Sequence, residues 1–537
     1  MIRRVCSLIS VWSAAAMLIS LVVFVPVLVV VSSVFRDSGG AWAHLAETRL
    51  SDYLINTLLL AISVPMIAAV LGVPTAWLVT MYRFPGRGIL SWALLLPIAM
   101  PAYIAAYSLT DLLQRSGPIQ SCLFGQIGPA PTWFPEVRSL PGAAVVLGLS
   151  LYPYVYFAAR VAFASQPRSA LEASRSLGRG PVATFLTVGI PMARPALIAA
   201  LLLVLMETVA DFGAVEYCAV DTLATGVYRT WFGLDSQNAA AQLSTLLLGV
   251  VGFVFMLEVI NRGHRRFHHT SIRGGSRASS GLGRIGGVIA AVSCTAPILL
   301  GFAAPAAWLV VLAWQYGDPR AGEVLLKYGA NSALIGGLAA AVAVASALIC
   351  LFAHRAHRTW LSRSVVHICR AGYGLPGPVI AIGVLVTISW LDARFGGVVL
   401  IGGTLAALLI GYQARFLSVA IGFVGAAYER INDRIDDAAH TLGSSRFWLL
   451  ARVHLPLLRG GILAAAALVF VDAVKELPMT LMLRPFNFDT LAVRVYQLAS
   501  EERLEAAASG SLLLVLVGLI PAAVLATQID RRPGGAK

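Results

Sequence analysis

Twelve long apolar runs recur along the 537 residues of this chain, and they constrain its fold more than any other feature. A helix needs about 20 apolar residues to cross the hydrocarbon core of a bilayer. Runs of this length are helical in lipid, because a helix satisfies its own backbone hydrogen bonds, and they lack the alternation of barrel strands. We predict an all-α membrane protein with transmembrane helices near residues 9–34, 54–80, 88–110, 141–164, 196–217, 240–261, 287–314, 330–353, 371–391, 396–424, 461–483 and 507–529.

Charge is scarce and unevenly placed. Only 12% of residues are charged and 58% are hydrophobic, so lipid must cover much of the surface. With the N-terminus in the cytoplasm, 28 of the 40 lysines and arginines fall in predicted cytoplasmic segments, as the positive-inside rule requires. This orientation puts both termini in the cytoplasm and explains the net charge of +14 without a nucleic-acid partner. The first apolar run is too long for a signal peptide, and we interpret it as a membrane helix.

The sequence contains an internal repeat with six predicted helices in each half. A motif recurs at one constant offset in sequence number, so that Glu172, Ala173, Gly178 and Pro191 correspond to Asp437, Ala438, Gly443 and Pro456. An even number of helices in each half gives both halves the same orientation in the membrane. The halves should then be related by a pseudo-two-fold axis along the membrane normal. We therefore divide the chain into a first transmembrane half (1–262), a basic linker (263–286) and a second transmembrane half (287–537). The linker is rich in Gly and Ser, and we interpret its three histidines as part of a solvated loop.

The repeated motif lies in two long cytoplasmic loops, which follow the fourth and tenth predicted helices. In each loop the pattern predicts a short helix that ends at a left-handed glycine, Gly178 or Gly443, and a second helix that begins just after it. Such an element can dock into a cleft on a partner, or it can lie on the lipid surface as an amphipathic helix. Two copies at equivalent places favour docking.

Four carboxylates fall within predicted membrane helices. Glu207 and Asp211 lie in the fifth, and Asp472 and Glu476 in the eleventh. Ionisable groups at membrane depth are costly unless they face water or a partner. Their i, i+4 spacing predicts that each pair occupies one helix face, and the repeat predicts that the pairs face each other along a central pathway or gate. The alternative is a structural interhelical pair, such as Lys475 with a neighbouring carboxylate.

The two loops resemble the E-A-A, G and I-x-L-P pattern of permeases from binding-protein-dependent ABC importers. The departures are Ser174, Ile190 and Asp437, which keep size class or charge. The resemblance covers nearly the whole chain and implies the type I ABC importer permease fold in a bacterial inner membrane. It also implies that the eight motif residues above couple the permease to cytoplasmic ATP-binding subunits, two copies of which we expect, and that a soluble substrate-binding protein delivers the substrate.

We expect this chain to be neither an enzyme nor a cofactor-binding protein. None of its three lysines stands in a phosphate-binding loop motif, so ATP and Mg²⁺ should bind to separate subunits. The six cysteines are scattered, without metal-ligand spacing, so no metal site is expected.

Residues 210–232, together with residues 475–478 and 483–492, resemble ferric-iron permeases. This resemblance implies ferric iron as the substrate, with thiamine or another small solute as the alternative. A twelve-helix secondary transporter would share the two-half organisation, but it would give no reason for duplicated docking helices. No cluster of catalytic residues favours a membrane enzyme.

Overall fold

The structure is a computed structural model that describes residues 11–114, 117–124, 134–262, 280–316, 321–395 and 402–530. The longer helices of the first part of the chain are Val11–Ser32, Leu50–Met81, Ala102–Leu113, Leu140–Ala164, Ile190–Ala210, Leu223–Gly233 and Gln237–Arg262. Those of the second part are Arg284–Ile298, Ala304–Gln315, Ala321–Ala356, Trp360–Ala371, Gly377–Arg394, Leu405–Tyr428, Leu455–Lys475, Leu491–Ser500 and Leu504–Asp530.

Shorter elements connect these helices. The short helices are Ala41–Thr48, Arg87–Ala93, Pro118–Phe124, Arg168–Ser176, Pro181–Thr184, Gly213–Tyr217, Asp433–Thr441, Arg446–Leu449 and Pro478–Leu483. In the ranges given above, the 3-10 turns are Ser33–Phe35, Leu96–Ala99 and Gly372–Gly374, and the π turns are Phe185–Gly189, Leu299–Ala303 and Leu450–His454. Among the described residues, strand structure is limited to a two-residue parallel pairing of Tyr82–Arg83 with Ser280–Gly281.

Within the described part of the chain, eleven helices are long and apolar enough to cross a membrane. A bent pair, Arg87–Ala99 with Ala102–Phe124, raises the number to twelve if it counts as one span. The bend of 97° falls at Pro101, which has no N–H to continue the helical ladder. The prediction of an all-α membrane protein with about twelve spans is confirmed.

The fifth and eleventh predicted helices lie at different positions from those expected. The segment predicted at 196–217 runs from Pro181 to Ala210, and the one predicted at 461–483 runs from Phe447 to Lys475. Apolar runs miss the polar turns at the end of a helix, and they continue through a break when the residues beyond it are also apolar. In consequence, Pro191 is not at the start of the membrane-spanning segment Pro181–Ala210. It lies inside that segment, directly after a π turn.

The repeat predicted from sequence is present in the structure at the same offset. The π turns Phe185–Gly189 and Leu450–His454 are separated by the offset that relates Gly178 to Gly443. The helices Ile190–Ala210 and Leu455–Lys475, which follow these turns, are separated by the same offset. A π turn widens the helix by one residue, and two such turns at equivalent places indicate a retained feature of the repeat.

Hydrogen bonds repeat as well. Asn56 Nδ2 donates to the carbonyl of Asp221 at 2.8 Å, and Asn331 Nδ2 donates to that of Asp489 at 2.9 Å. In the next position, Thr57 Oγ1 accepts the Leu223 N–H at 3.0 Å. Its counterpart Ser332 Oγ accepts the Leu491 N–H at 2.7 Å. These contacts fasten equivalent loops to equivalent helices, because a buried backbone group without a partner is costly.

The chain forms two compact units, each of which contains segments from both sequence halves. One unit comprises the described residues of Met1–Leu45, Gly226–Leu248 and Gly322–Arg494. In it, the first membrane helix contacts the helix Gly377–Arg394, where a Cβ on Gly383 would lie 2.5 Å from the Pro26 carbonyl oxygen. The sequence boundaries 1–262, 263–286 and 287–537 describe the repeat and stay a prediction.

The other unit comprises the described residues of Ala46–Thr225, Gly249–Ala321 and Val495–Lys537. Its centre is the contact between the helices Leu50–Met81 and Leu140–Ala164. A Cβ on Gly72 would lie 2.9 Å from the Tyr156 backbone nitrogen, and one on Gly148 would lie 2.5 Å from Ile67 Cγ2. Glycine at these positions lets the two helices approach closely, as is common for helix pairs in membranes.

Candidate functional site

The first docking loop, residues 168–190, folds as a helix, a glycine turn and a second helix. The helix Arg168–Ser176 is capped by Leu177 and followed by Gly178, whose φ of 79° lies in the left-handed region. The Gly178 N–H donates to the Arg175 carbonyl, and the Arg179 N–H donates to the Ser174 carbonyl at 3.2 Å. These bonds satisfy carbonyls that the helix end would leave open. A new helix begins at Pro181, so the predicted stop and restart are confirmed.

The second docking loop, residues 433–455, has the same architecture. The helix Asp433–Thr441 is followed by Gly443 with a φ of 73°. The Ser444 N–H donates to the Ala439 carbonyl at 3.0 Å. The Ser445 hydroxyl accepts the Trp448 N–H at 3.2 Å, so Ser445 caps the next helix.

Both docking loops present the same set of side chains to the outside. The first two motif residues, Glu172 with Ala173 and Asp437 with Ala438, are exposed, whereas the third is buried against its own chain. An exposed leucine precedes each left-handed glycine. The exposed fraction is 80% for Leu177 and 84% for Leu442. Each loop thus offers a carboxylate and a projecting apolar residue around a rigid turn, a surface suited to a partner. The motif prolines are partly exposed at Pro191 and exposed at Pro456.

The sequence predicts that Asp211 and Glu476 lie within membrane helices, and this prediction is wrong. Both residues are helix caps. The preceding helices end at Ala210 and Lys475. Asp211 Oδ1 accepts the N–H groups of Ala214 and Val215 at 3.0 and 3.2 Å. A carboxylate at the start of a short helix satisfies donors that lipid could not. The premise that Asp211 shares a helix face with Glu207 is therefore wrong, since an i, i+4 argument requires an unbroken helix.

Glu476 plays the same role at the equivalent position of the second half and has an additional partner. Its carboxylate accepts the N–H groups of Met479 and Thr480 at 3.1 and 2.9 Å. Arg415, on the neighbouring helix Leu405–Tyr428, places its Nη1 3.4 Å from Glu476 Oε1. Sequence reasoning anticipated an interhelical pair for Lys475, and it missed Arg415.

Glu207 and Asp472 lie in the last turn of their helices, and both side chains are partly exposed. They belong to different compact units. That they face one another along a pathway stays a prediction.

Sequence reasoning also missed a charged network at the second docking loop, centred on Arg355, Asp436 and His454. A signal was present, because the first-half counterparts of Asp436 and His454 are Leu171 and Gly189. Two ionisable residues in place of a leucine and a glycine indicate a contact that one half has and the other lacks.

Groups of three or more His, Cys, Asp or Glu side chains placed to hold a metal ion do not occur among the residues that the structure describes. The three histidines of the linker, His264, His268 and His269, lie outside the described residues.

Residues 345–534 match the family of binding-protein-dependent transport system inner membrane components. The chain is 27% identical to the Fe(3+)-transport system permease protein FbpB 2 of Haemophilus influenzae over 492 residues, which cover 90% of both chains. It is 23% identical to the ferric transport system permease protein FbpB of Actinobacillus pleuropneumoniae, over 93% of this chain and 75% of that protein. The sulfate transport system permease protein CysT of Salmonella typhimurium is 27% identical over 42% of this chain and 83% of its own.

These similarities agree with the membrane helices and with the duplicated docking loops. The chain is a multi-pass membrane permease of the ABC importer type, and its residues 345–534 belong to the family of binding-protein-dependent transport system inner membrane components.

The two left-handed glycines allow a matched substitution test. Gly178→Ala and Gly443→Ala should each destabilise their loop by about 1 kcal/mol, because an L-residue is strained in the left-handed region. A Cβ at either position meets nothing within 4 Å, so no clash adds to this cost. Gly180→Ala is the control, since Gly180 also has open space but a φ of −66°. Hydrogen exchange of the loop amides should rise in the first two variants only. Equal exchange in all three would contradict the turn's role.

Proposed function

We propose that this permease forms the translocation pathway for ferric iron that a soluble binding protein delivers to its outer face. The observation that carries the proposal is the similarity over 90% of both chains to a Fe(3+)-transport permease. A second ferric permease aligns over 93% of this chain, whereas the sulfate permease aligns over 42%. Thiamine or another small solute is the alternative substrate.

Energy enters, in this proposal, through the two docking loops. Each loop inserts its exposed leucine and its carboxylate into a groove of a separate cytoplasmic ATP-binding subunit, of which the complex holds two copies. ATP and Mg²⁺ bind to those subunits and not to this chain. The exposed apolar tips beside Gly178 and Gly443 support this docking. The continuous helices Pro181–Ala210 and Phe447–Lys475 that leave the loops support a transfer of motion into the membrane region.

The proposed orientation places both docking loops, the linker and both termini in the cytoplasm. The capped breaks after Ala210 and Lys475 then lie at the far end of the helices that leave the docking loops. A movement at a docking loop therefore reaches the position where each long helix stops and a short one starts. Glu207 and Asp472 stand one turn before these breaks, where carboxylates would attract a cationic solute.

Reconstitution tests the substrate. The permease is placed in proteoliposomes with its ATP-binding subunits and with candidate binding proteins, and ATP turnover and solute uptake are measured together. We expect the ferric-loaded binding protein to raise ATP turnover and to cause ATP-dependent accumulation of iron. The same binding protein without iron is the control. Stimulation by a thiamine-loaded protein in place of the ferric one would overturn the iron assignment and leave the permease assignment intact.

Alanine substitution tests the pathway. Glu207→Ala and Asp472→Ala should abolish solute uptake, because each removes a carboxylate from the proposed pathway, and the ATP-binding subunits should still co-purify. The matched control is Glu47→Ala, which removes an exposed carboxylate on the helix Ala41–Thr48. Normal uptake in both variants would refute the pathway role.

A further inference from the structure

The two docking loops are fastened to their own membrane helices by different chemistry. In the first loop the described contacts at Gly189 are ring packing and a hydrogen bond of 2.8 Å from the uncharged Gln166 Nε2 to the Gly189 carbonyl. Gly189, the last residue of the π turn, lies against the ring of Trp77, where an added Cβ would be 2.6 Å from Trp77 Cζ3. The same ring packs on Phe163 and Phe185, with centroids 5.1 Å away in each case. Leu171, in the helix Arg168–Ser176 of the first docking loop, is also buried.

In the second loop the equivalent positions carry ionisable groups. Asp436 occupies the place of Leu171, and His454 that of Gly189, at the same offset as the rest of the repeat. Arg355 Nε donates to Asp436 Oδ2 at 2.6 Å. The other carboxylate oxygen, Oδ1, shares a hydrogen bond of 2.9 Å with His454 Nε2. Arg355, Asp436 and His454 together form what we name the clasp.

The clasp joins three elements of one compact unit. Arg355 lies at the end of the helix Ala321–Ala356, Asp436 lies in the docking helix Asp433–Thr441, and His454 ends the π turn Leu450–His454. His454 Nδ1 also lies 3.3 Å from the Tyr428 hydroxyl. A single carboxylate thus connects the docking helix to two membrane helices at once.

Arg355 also holds the chain that leads into the docking helix. Its Nη2 donates to the carbonyls of Ile431 and Asn432 at 3.1 and 3.3 Å. The Asp433 carboxylate lies 3.4 Å from the same nitrogen, and it accepts a bond of 2.7 Å from Arg358. The guanidinium therefore fixes the start of the docking helix as well as Asp436 in its first turn.

Water screens the clasp weakly. The exposed fraction is 10% for the Arg355 side chain, 17% for Asp436 and 0% for His454. Burial by itself would raise the pKa of Asp436, but the hydrogen bonds from Arg355 and His454 hold that pKa below its ordinary value. The carboxylate is consequently ionised near neutral pH, and its partners remain attracted to it.

We infer that Arg355, Asp436 and His454 are positioning residues that lock the second docking loop to its membrane helices, so that ATP hydrolysis moves both together. A charge-assisted network has a narrow geometry, whereas apolar packing such as that of Trp77 tolerates small displacements. The second loop is therefore the more rigid of the two connections. This inference rests on the proposed coupling of the docking loops to ATP-binding subunits.

Two substitutions at one position test the clasp. Asp436→Asn keeps the size of the side chain and removes its charge, whereas Asp436→Glu keeps the charge. In the reconstituted complex, Asp436→Asn should lower the amount of solute transported per ATP by about fivefold or more. It should also speed amide exchange in residues 433–441 and leave residues 168–176 unchanged. Asp436→Glu should restore most of the transport per ATP. Glu429→Gln, which neutralises an exposed carboxylate outside the docking helix, should behave as the wild type.

Wild-type transport per ATP in Asp436→Asn would overturn the inference. An equal loss in Asp436→Asn and Asp436→Glu would also overturn it, because the charge would then not be the cause. The exchange measurement needs no substrate, so it remains informative if the transported solute is not iron. If the wild-type permease itself fails to bind ATP-binding subunits, the proposed function fails, irrespective of how the variants compare.

Discussion

Backbone hydrogen bonding in lipid is the constraint on which the rest of this structure depends. A peptide group in the hydrocarbon core must find its partner within the protein, so the chain crosses the membrane as helices. Where a membrane helix stops, the chain has to supply replacements for the lost bonds. It does so with Asp211 and Glu476, whose carboxylates accept the N–H groups that begin the next short helix. These charged residues are therefore part of the scaffold, whatever they add to transport.

Because of the repeat, the scaffold contains two equivalent connections between a docking loop and a membrane helix. Each half carries a short helix, a left-handed glycine, a π turn and a long helix that ends at a capped break, all related by one offset in sequence number. The halves differ in how the docking loop is held, by Trp77 in one and by Arg355 and Asp436 in the other. The two docking loops therefore have the same backbone shape but different contacts to their membrane helices. In our account both loops serve the same task, and the second is held more rigidly.

Sequence reasoning was most accurate where one physical rule dominates. Apolar length gave the membrane helices, and the conformational freedom of glycine gave the turns at Gly178 and Gly443. It failed at the helix breaks after Ala210 and Lys475, because apolar residues continue beyond each break. It also missed Arg355, which lies 81 residues from Asp436, since no local pattern shows which distant cation a carboxylate will meet.

Cross-linking tests the docking of the two loops most directly. Cysteine is introduced at Leu177 or at Leu442, the exposed tips of the docking loops, and at Phe486 as a control that is also highly exposed but lies outside both loops. After treatment with a short bifunctional reagent, we expect Leu177→Cys and Leu442→Cys each to form a covalent product with an ATP-binding subunit, and Phe486→Cys to form none. No product from either tip, or an equal yield from Phe486→Cys, would contradict the account.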